Sequence, residues 1–119
     1  MPYTIQGQAV SLGAEPFLHN NKHYVPLRDV VEALGGSVAF DNNAKAAMAT
    51  IGQWTARITM GDRNIDVSGT PVMLSADPYV EDGQMYVPFD FFHDAFGYSV
   101  ALGNDDGAPN LNISNPNVA

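Results

Sequence analysis

The chain has 119 residues, of which 13 are acidic and 5 are Lys or Arg, so its formal net charge is −8 at pH 7. This charge disfavours nucleic acid and anionic lipid, because both present negative phosphates. The absence of cysteine excludes disulfides and thiolate chemistry. No apolar run reaches the roughly 18 residues that a membrane-spanning helix needs, so we expect no membrane insertion.

The first prominent feature in chain order is a hairpin that leads into a helix. Weak strands within residues 3–12 precede it, and Asn20-Asn21 suits a two-residue type I′ turn. Pro26 fits the start of a helix, and Gly35-Gly36 fits its end. The residues between them predict one buried helical stripe, formed by Leu27, Val30, Val31 and Leu34.

The middle of the chain, residues 37–67, is typical of a β-meander. Gly52-Gln53 suits a type II′ turn, and the residues after it alternate between apolar and polar. This alternation predicts a core-facing set made of Trp54, Ala56, Ile58 and Met60.

The hairpin–helix pattern then returns 62 positions later. Of the 34 positions from 7 to 40, 13 carry the same residue after this shift. Asp82-Gly83 supplies the second two-residue turn, Gly97 the helix end, and Phe89, Phe92 and Phe96 the buried stripe. We interpret the shift as an internal duplication with pseudo-repeats of about 5–67 and 68–119, within a single domain of residues 1–119.

The second copy is incomplete. It has no counterpart of the strand that contains Trp54; residues 103–109 are predicted to be loop, and residues 111–113 a short strand. A missing strand predicts an open sheet edge. The predicted fold class is α+β, with an antiparallel sheet or meander packed against two short helices.

The sequence Tyr24-Val25-Pro26-Leu27-Arg28, the helix end Ala33-Leu34-Gly35 and the strand Ser37-Val38-Ala39-Phe40-Asp41 resemble the copper amine oxidase N-terminal-like, or stalk-type, domain. The resemblance implies a non-catalytic α+β module of secreted or cell-envelope proteins of bacteria. It therefore implies an extracellular or cell-envelope location, with any signal peptide outside this sequence. Asp90 departs from the pattern, because it stands where the first copy has Arg28.

Four aromatic residues are predicted to form two cross-strand pairs, Phe17 with Tyr24 and Tyr79 with Tyr86. They form either a flat platform for sugar rings or a layer packed against neighbouring elements.

The sequence gives little support for a metal site or a catalytic site. His19 and His23 are expected on opposite faces of the first hairpin, which argues against a shared metal ion. Asp41-Asn42-Asn43 and Asn104-Asp105-Asp106 offer oxygen donors for calcium, but Asp and Asn in turns usually bond to nearby backbone. The sequence has no Gly-x-Ser-x-Gly or His-Glu-x-x-His motif, and we expect neither catalysis nor a cofactor.

The second helix suggests an interface. A helical wheel anchored on Phe89 turns Phe91 outward, with Asp90 and Asp94 beside it and His93 at the edge of the buried stripe. This predicts a protein partner or self-association through the helix or the open sheet edge; alternatively, the carboxy-terminal tail covers Phe91. The predicted function is spacing, anchoring or protein docking, with binding of cell-wall polysaccharide as the alternative.

Overall fold

The structure is a computed structural model that describes residues 3–10, 16–19, 22–41, 43, 45–105 and 108–114. These residues are mostly β-sheet, with two short helices. In chain order the elements are β1 (Tyr3–Ile5), β2 (Gln8–Val10), β3 (Phe17–His19), β4 (Lys22–Pro26), α1 (Leu27–Ala33), β5 (Ser37–Asp41), β6 (Ala46–Ile51), β7 (Trp54–Thr59), β8 (Asp62–Val67), β9 (Thr70–Met73), β10 (Tyr79–Glu81), β11 (Gln84–Pro88), α2 (Phe91–Phe96), β12 (Ser99–Asp105) and β13 (Ala108–Ser114).

The two predicted hairpins join in one antiparallel sheet with the order β10-β11-β4-β3. Strands β4 and β11 lie at its centre, where Val25 pairs with Val87 and Tyr24 pairs with Pro88. The second hairpin has the predicted two-residue turn, with φ of 54° at Asp82 and 76° at Gly83, as a type I′ turn requires. Asn20-Asn21 lies outside the described residues. The sheet thus relates the two hairpins by an approximate twofold axis near the Val25 and Val87 pair.

The meander forms a second sheet, with the order β5-β6-β7-β8-β9. The two-residue turn at Gly52-Gln53 is confirmed, because Ile51 pairs with Trp54. Ala56 and Ile58 are buried as predicted, but the prediction was wrong for Trp54, which is 54% exposed, and for Met60, which is 42% exposed. Trp54 belongs to the inner face but lies at the hairpin tip, where alternation alone does not guarantee a covering layer.

The third sheet, ordered β12-β13-β1-β2, corrects two predictions. Residues 103–105 and 108–109, which were predicted as loop, lie in β12 and β13 instead, and β1 pairs with β13 in parallel, with Tyr3 beside Leu111. The place where we expected an open edge is therefore occupied by β1.

Both helices and all three sheets contribute to one cluster of buried apolar residues. In α1 the buried residues are Leu27, Val30 and Val31, as predicted. Leu34, the fourth residue of the predicted stripe, lies just after the helix and is partly buried against the core. Gly35 follows the helix with φ of 90°, and Gly97 ends α2 with φ of 79°, as expected of glycine at these positions.

The phase predicted for α2 was wrong. Phe91 is fully buried, at 0% exposure, and packs edge-on against Phe92 and Phe96. The helix begins at Phe91, directly after Asp90, and its buried residues are Phe91, Phe92 and Ala95. His93, predicted at the edge of the buried stripe, is exposed.

Candidate functional site: an aromatic cluster beside a polar groove

The candidate site lies on the sheet formed by β10, β11, β4 and β3, on the face opposite the side chains of Val25 and Val87. Those two valines are buried in the core, so strand alternation sends the side chains of Tyr24 and Tyr86 to the other face. The predicted pairing is confirmed there, since Phe17 lies opposite Tyr24 and Tyr79 opposite Tyr86.

These four rings form one cluster, because strand β4 pairs with β11. The ring centroids of Tyr24 and Tyr79 are 5.1 Å apart, as are those of Phe17 and Tyr86, and both contacts are edge-on. Within each hairpin the rings stack, at 6.5 Å for Phe17 and Tyr24 and 5.3 Å for Tyr79 and Tyr86. Phe17, Tyr79 and Tyr86 are partly exposed, whereas Tyr24 is only 4% exposed. The cluster therefore packs on itself while keeping a solvent-facing side.

His19 joins the cluster from the end of β3. Its ring stacks on Tyr79, with centroids 4.3 Å apart and planes inclined by 25°, and it meets the edge of Tyr24 at 5.4 Å. His23 pairs with Leu18, whereas His19 pairs with Lys22, so the two histidines lie on opposite faces as predicted.

Tyr24 also connects the cluster to a loop after β9. Its hydroxyl donates a hydrogen bond of 2.7 Å to the backbone carbonyl of Asp77. The Asp77 carboxylate in turn accepts a hydrogen bond of 2.9 Å from Arg63 Nε. Arg63 and Asp77 are 46% and 49% exposed, so this ion pair forms a solvent-accessible rim.

A groove of about 480 Å³ opens between the cluster, the β7–β8 turn and this loop. Its walls combine ring surfaces with charged and backbone polar groups. The lining residues are His19, Lys22, Tyr24, Met60, Gly61, Arg63, Ser75, Ala76, Asp77, Pro78 and Tyr79.

Asp90 holds in place Lys22, one of the charged side chains that line the groove. Its carboxylate accepts hydrogen bonds from Lys22 Nζ at 3.3 Å and from Ser75 Oγ at 2.8 Å. The same ammonium group lies 4.9 Å from the centroid of the Phe89 ring. Asp90 therefore links β4 to the start of α2. Asp94, the other acidic residue predicted beside Phe91, contacts His93 with 3.3 Å between Oδ1 and Nδ1.

The tyrosines stay protonated well above neutral pH. Burial, followed by the charge of Glu81, raises the pKa of Tyr79 to about 12. Burial also raises the pKa of Tyr24, and Asp77 adds to this while Arg63 opposes it. The pKa of Tyr86 is raised by burial and by Glu81. The cluster thus presents neutral phenols.

For the proposed calcium turns, the described part of the chain gives a local account. The Asp41 carboxylate accepts a hydrogen bond of 2.9 Å from the backbone N–H of Asn43, which is the usual role of aspartate in a turn. Asn42, Asp106 and the side chains of Asn104 and Asp105 lie outside the description. Within the described residues no group of three or more His, Asp or Glu side chains could hold a metal ion.

Sequence reasoning found the four rings but missed Arg63, Asp77 and Lys22. Arg63 and Asp77 are 14 positions apart and meet only because β8, β9 and the following loop fold back. A local signal for Lys22 did exist: its position opposite His19 follows from the hairpin register.

Neither described helix is long and apolar enough to cross a membrane.

Among curated proteins no sequence matches the chain. The family described as "Copper amine oxidase N-terminal domain" matches residues 4–109, which is most of the chain. The chain belongs to the copper amine oxidase N-terminal domain family.

Proposed function

We propose that this chain is a non-catalytic spacing and anchoring module that carries mechanical load in an extracellular or cell-envelope protein. The family supports a non-catalytic role, since the match is to an N-terminal domain and not to an oxidase domain. The observation that carries the proposal is the parallel pairing of β1 with β13, the strands nearest the two ends of the described chain.

Parallel pairing of these two strands gives them a particular response to tension. A pull applied ahead of Tyr3 and beyond Ser114 slides the strands along each other. Their inter-strand hydrogen bonds, including the 2.8 Å bond from Gln6 N–H to the Ile113 carbonyl, are then loaded together. A hairpin pulled at its open end breaks one bonded pair at a time. Loading in shear therefore resists a force that would open a hairpin.

Burial of side chains adds to the resistance of the β1–β13 pair. Tyr3, Ile5, Leu111 and Ile113 are all buried, so sliding β1 would also expose the core that both helices share. The cost of exposing apolar area adds to that of the hydrogen bonds.

We also infer that the module contains two tandem copies of the hairpin–helix motif. Three features support this: the 62-residue shift, the pairing of Val25 with Val87 at the sheet centre, and a left-handed glycine after each helix. The parallel β1–β13 pair then corresponds to a second copy that lacks the strand equivalent to β7.

Single-molecule stretching tests the mechanical role. The chain has no cysteine, so engineered cysteines give unique attachment points. We expect a high rupture force when handles are attached at the two chain ends. The matched control attaches them through Ser99→Cys and Ser114→Cys, because these residues face each other in the β12–β13 hairpin and pulling there unzips it. Equal or lower force for the end-to-end geometry would refute the proposal.

A further inference from the structure

We propose that the groove lined by His19, Tyr79 and Arg63 binds an uncharged pyranose ring of an oligosaccharide. This binding activity goes beyond the load-bearing role and does not depend on it. It rests on three properties of the groove: its ring surface, its balanced charge and its hydrogen-bonding rim.

The ring surface comes from the stacked pair of His19 and Tyr79. Their centroids are 4.3 Å apart, and the edge-on contact with Tyr24 holds the Tyr79 ring in place. A pyranose carries axial C–H groups on its faces, and aromatic rings offer them a rigid apolar surface at low entropic cost. Both residues line the groove and are partly exposed, so the parts of their rings that stacking leaves uncovered form an apolar wall for a sugar.

The charge balance selects against ionic ligands. The two cations at the groove, Lys22 and Arg63, are each paired with a carboxylate, those of Asp90 and Asp77 respectively. An anionic ligand would compete with these carboxylates and would approach a protein of net charge −8. A cationic ligand would have to compete with Lys22 and Arg63 for the same two carboxylates. A neutral ligand avoids both penalties.

The rim offers the donors and acceptors that sugar hydroxyls need. Arg63 donates from Nε to Asp77, and the Nη groups of this half-exposed side chain provide further donors. The Asp77 carboxylate is also half-exposed and can accept from a hydroxyl, while the Tyr24 hydrogen bond to its carbonyl orders the loop. The groove volume of about 480 Å³ lies within the range of roughly 300–1,000 Å³ that is usual for small-molecule sites.

Titration of the whole chain with oligosaccharides of different charge tests the proposal. The probes are neutral cello- and malto-oligosaccharides, acidic oligogalacturonate and basic chitosan oligosaccharide, monitored by calorimetry and by backbone amide NMR shifts. We expect at least one neutral probe to bind more tightly than both charged probes, with shifts centred on His19, Arg63 and Tyr79.

Two histidine variants provide the matched comparison. His19→Ala should weaken binding at least about tenfold, since it removes half of the stacked wall. His23→Ala, on the opposite face of the same hairpin, should leave the affinity within about twofold. If His19→Ala does not fold, Arg63→Ala at the exposed rim carries the same expectation.

Several results would overturn the proposal. They are failure of both neutral probes to bind, tighter binding of a charged probe, equal effects of His19→Ala and His23→Ala, or NMR shifts centred away from the groove, for example at Trp54. None of these results bears on the stretching experiment, so the two proposals fail separately.

Discussion

The two hairpin–helix segments, residues 17–35 and 79–97, share a pattern at a spacing of 62 positions but bury different faces of their helices. Helix α1 buries Leu27, Val30 and Val31, whereas α2 buries Phe91, Phe92 and Ala95. Among the buried residues of the two helices, only Val30 and Phe92 occupy equivalent sequence positions. Two segments with the same sequence pattern can therefore both form a helix and yet turn different faces of it toward the core.

The residues of α2 explain its rotation. If α2 had the phase of α1, His93 would enter the core at the position of Val31, and Phe91 would face water at the position of Asp29. Burying an imidazole without a partner is costly, and leaving a phenylalanine exposed forgoes about 2 kcal/mol or more. The observed phase buries the phenylalanine and exposes the histidine, so both penalties are avoided.

Among the changes that test this comparison, substitution of Phe91 should have the largest effect on stability. Phe91→Ala removes a fully buried ring and should lower the free energy of unfolding by about 3–5 kcal/mol. Phe91→Asp should prevent folding, because it places a carboxylate in the core. The measurement is urea denaturation followed by circular dichroism.

The control for Phe91 lies at the equivalent position of α1. Asp29→Ala removes a partly exposed side chain and should change stability by less than about 1 kcal/mol. A well-folded Phe91→Asp variant would mean that Phe91 faces solvent after all. Self-association stays a prediction, but neither Phe91 nor the place now filled by β1 supports it.

A second contrast between the segments is the residue after the left-handed glycine that follows each helix. Gly36, which follows Gly35, packs against β6, whereas Tyr98 stands at the equivalent position after Gly97. A Cβ at Gly36 would overlap the Thr50 carbonyl oxygen and lie 2.7 Å from Ile51 Cγ1. Gly36→Ala should therefore destabilise the fold by about 1–3 kcal/mol, because helix and strand must separate.

Gly103 is the matched control for Gly36. Its φ is also ordinary for other residues, but the nearest atom to an added Cβ is the Asn110 carbonyl oxygen at 4.0 Å. Gly103→Ala should change stability by no more than about 0.5 kcal/mol in chemical denaturation. Similar losses for both variants would show that the contact with β6 is not what requires glycine at position 36.

Local chemistry was enough to predict the parts of the fold that neighbouring residues determine. The hairpin registers, the turn at Asp82-Gly83 and the stripe of α1 all follow from turn residues and periodicity. The aromatic pairs of the site follow from the same registers.

The remaining features depend on distant residues. Alternation predicts which face of the sheet Trp54 lies on, but it does not predict whether other residues cover that face at the hairpin tip. The β1–β13 pairing brings together the two ends of the described chain. The groove likewise needs Arg63 and Asp77 from separate elements. These arrangements become visible only once the three sheets are assembled.

The smallest expected effect concerns the one aromatic position at which the hairpins differ chemically, Phe17 in the first and Tyr79 in the second. Burial raises the pKa of Tyr79 to about 12 from an ordinary value of 10.0. Since the folded state favours the neutral phenol, this contribution to stability is complete below pH 10 and is lost as the pH rises toward 12. Tyr79→Phe should match the wild type at pH 7 but retain more of its stability between pH 10 and 12, as measured by urea midpoints. Parallel losses in both proteins would mean that the phenol of Tyr79 ionises no less readily in the folded state than in the unfolded chain.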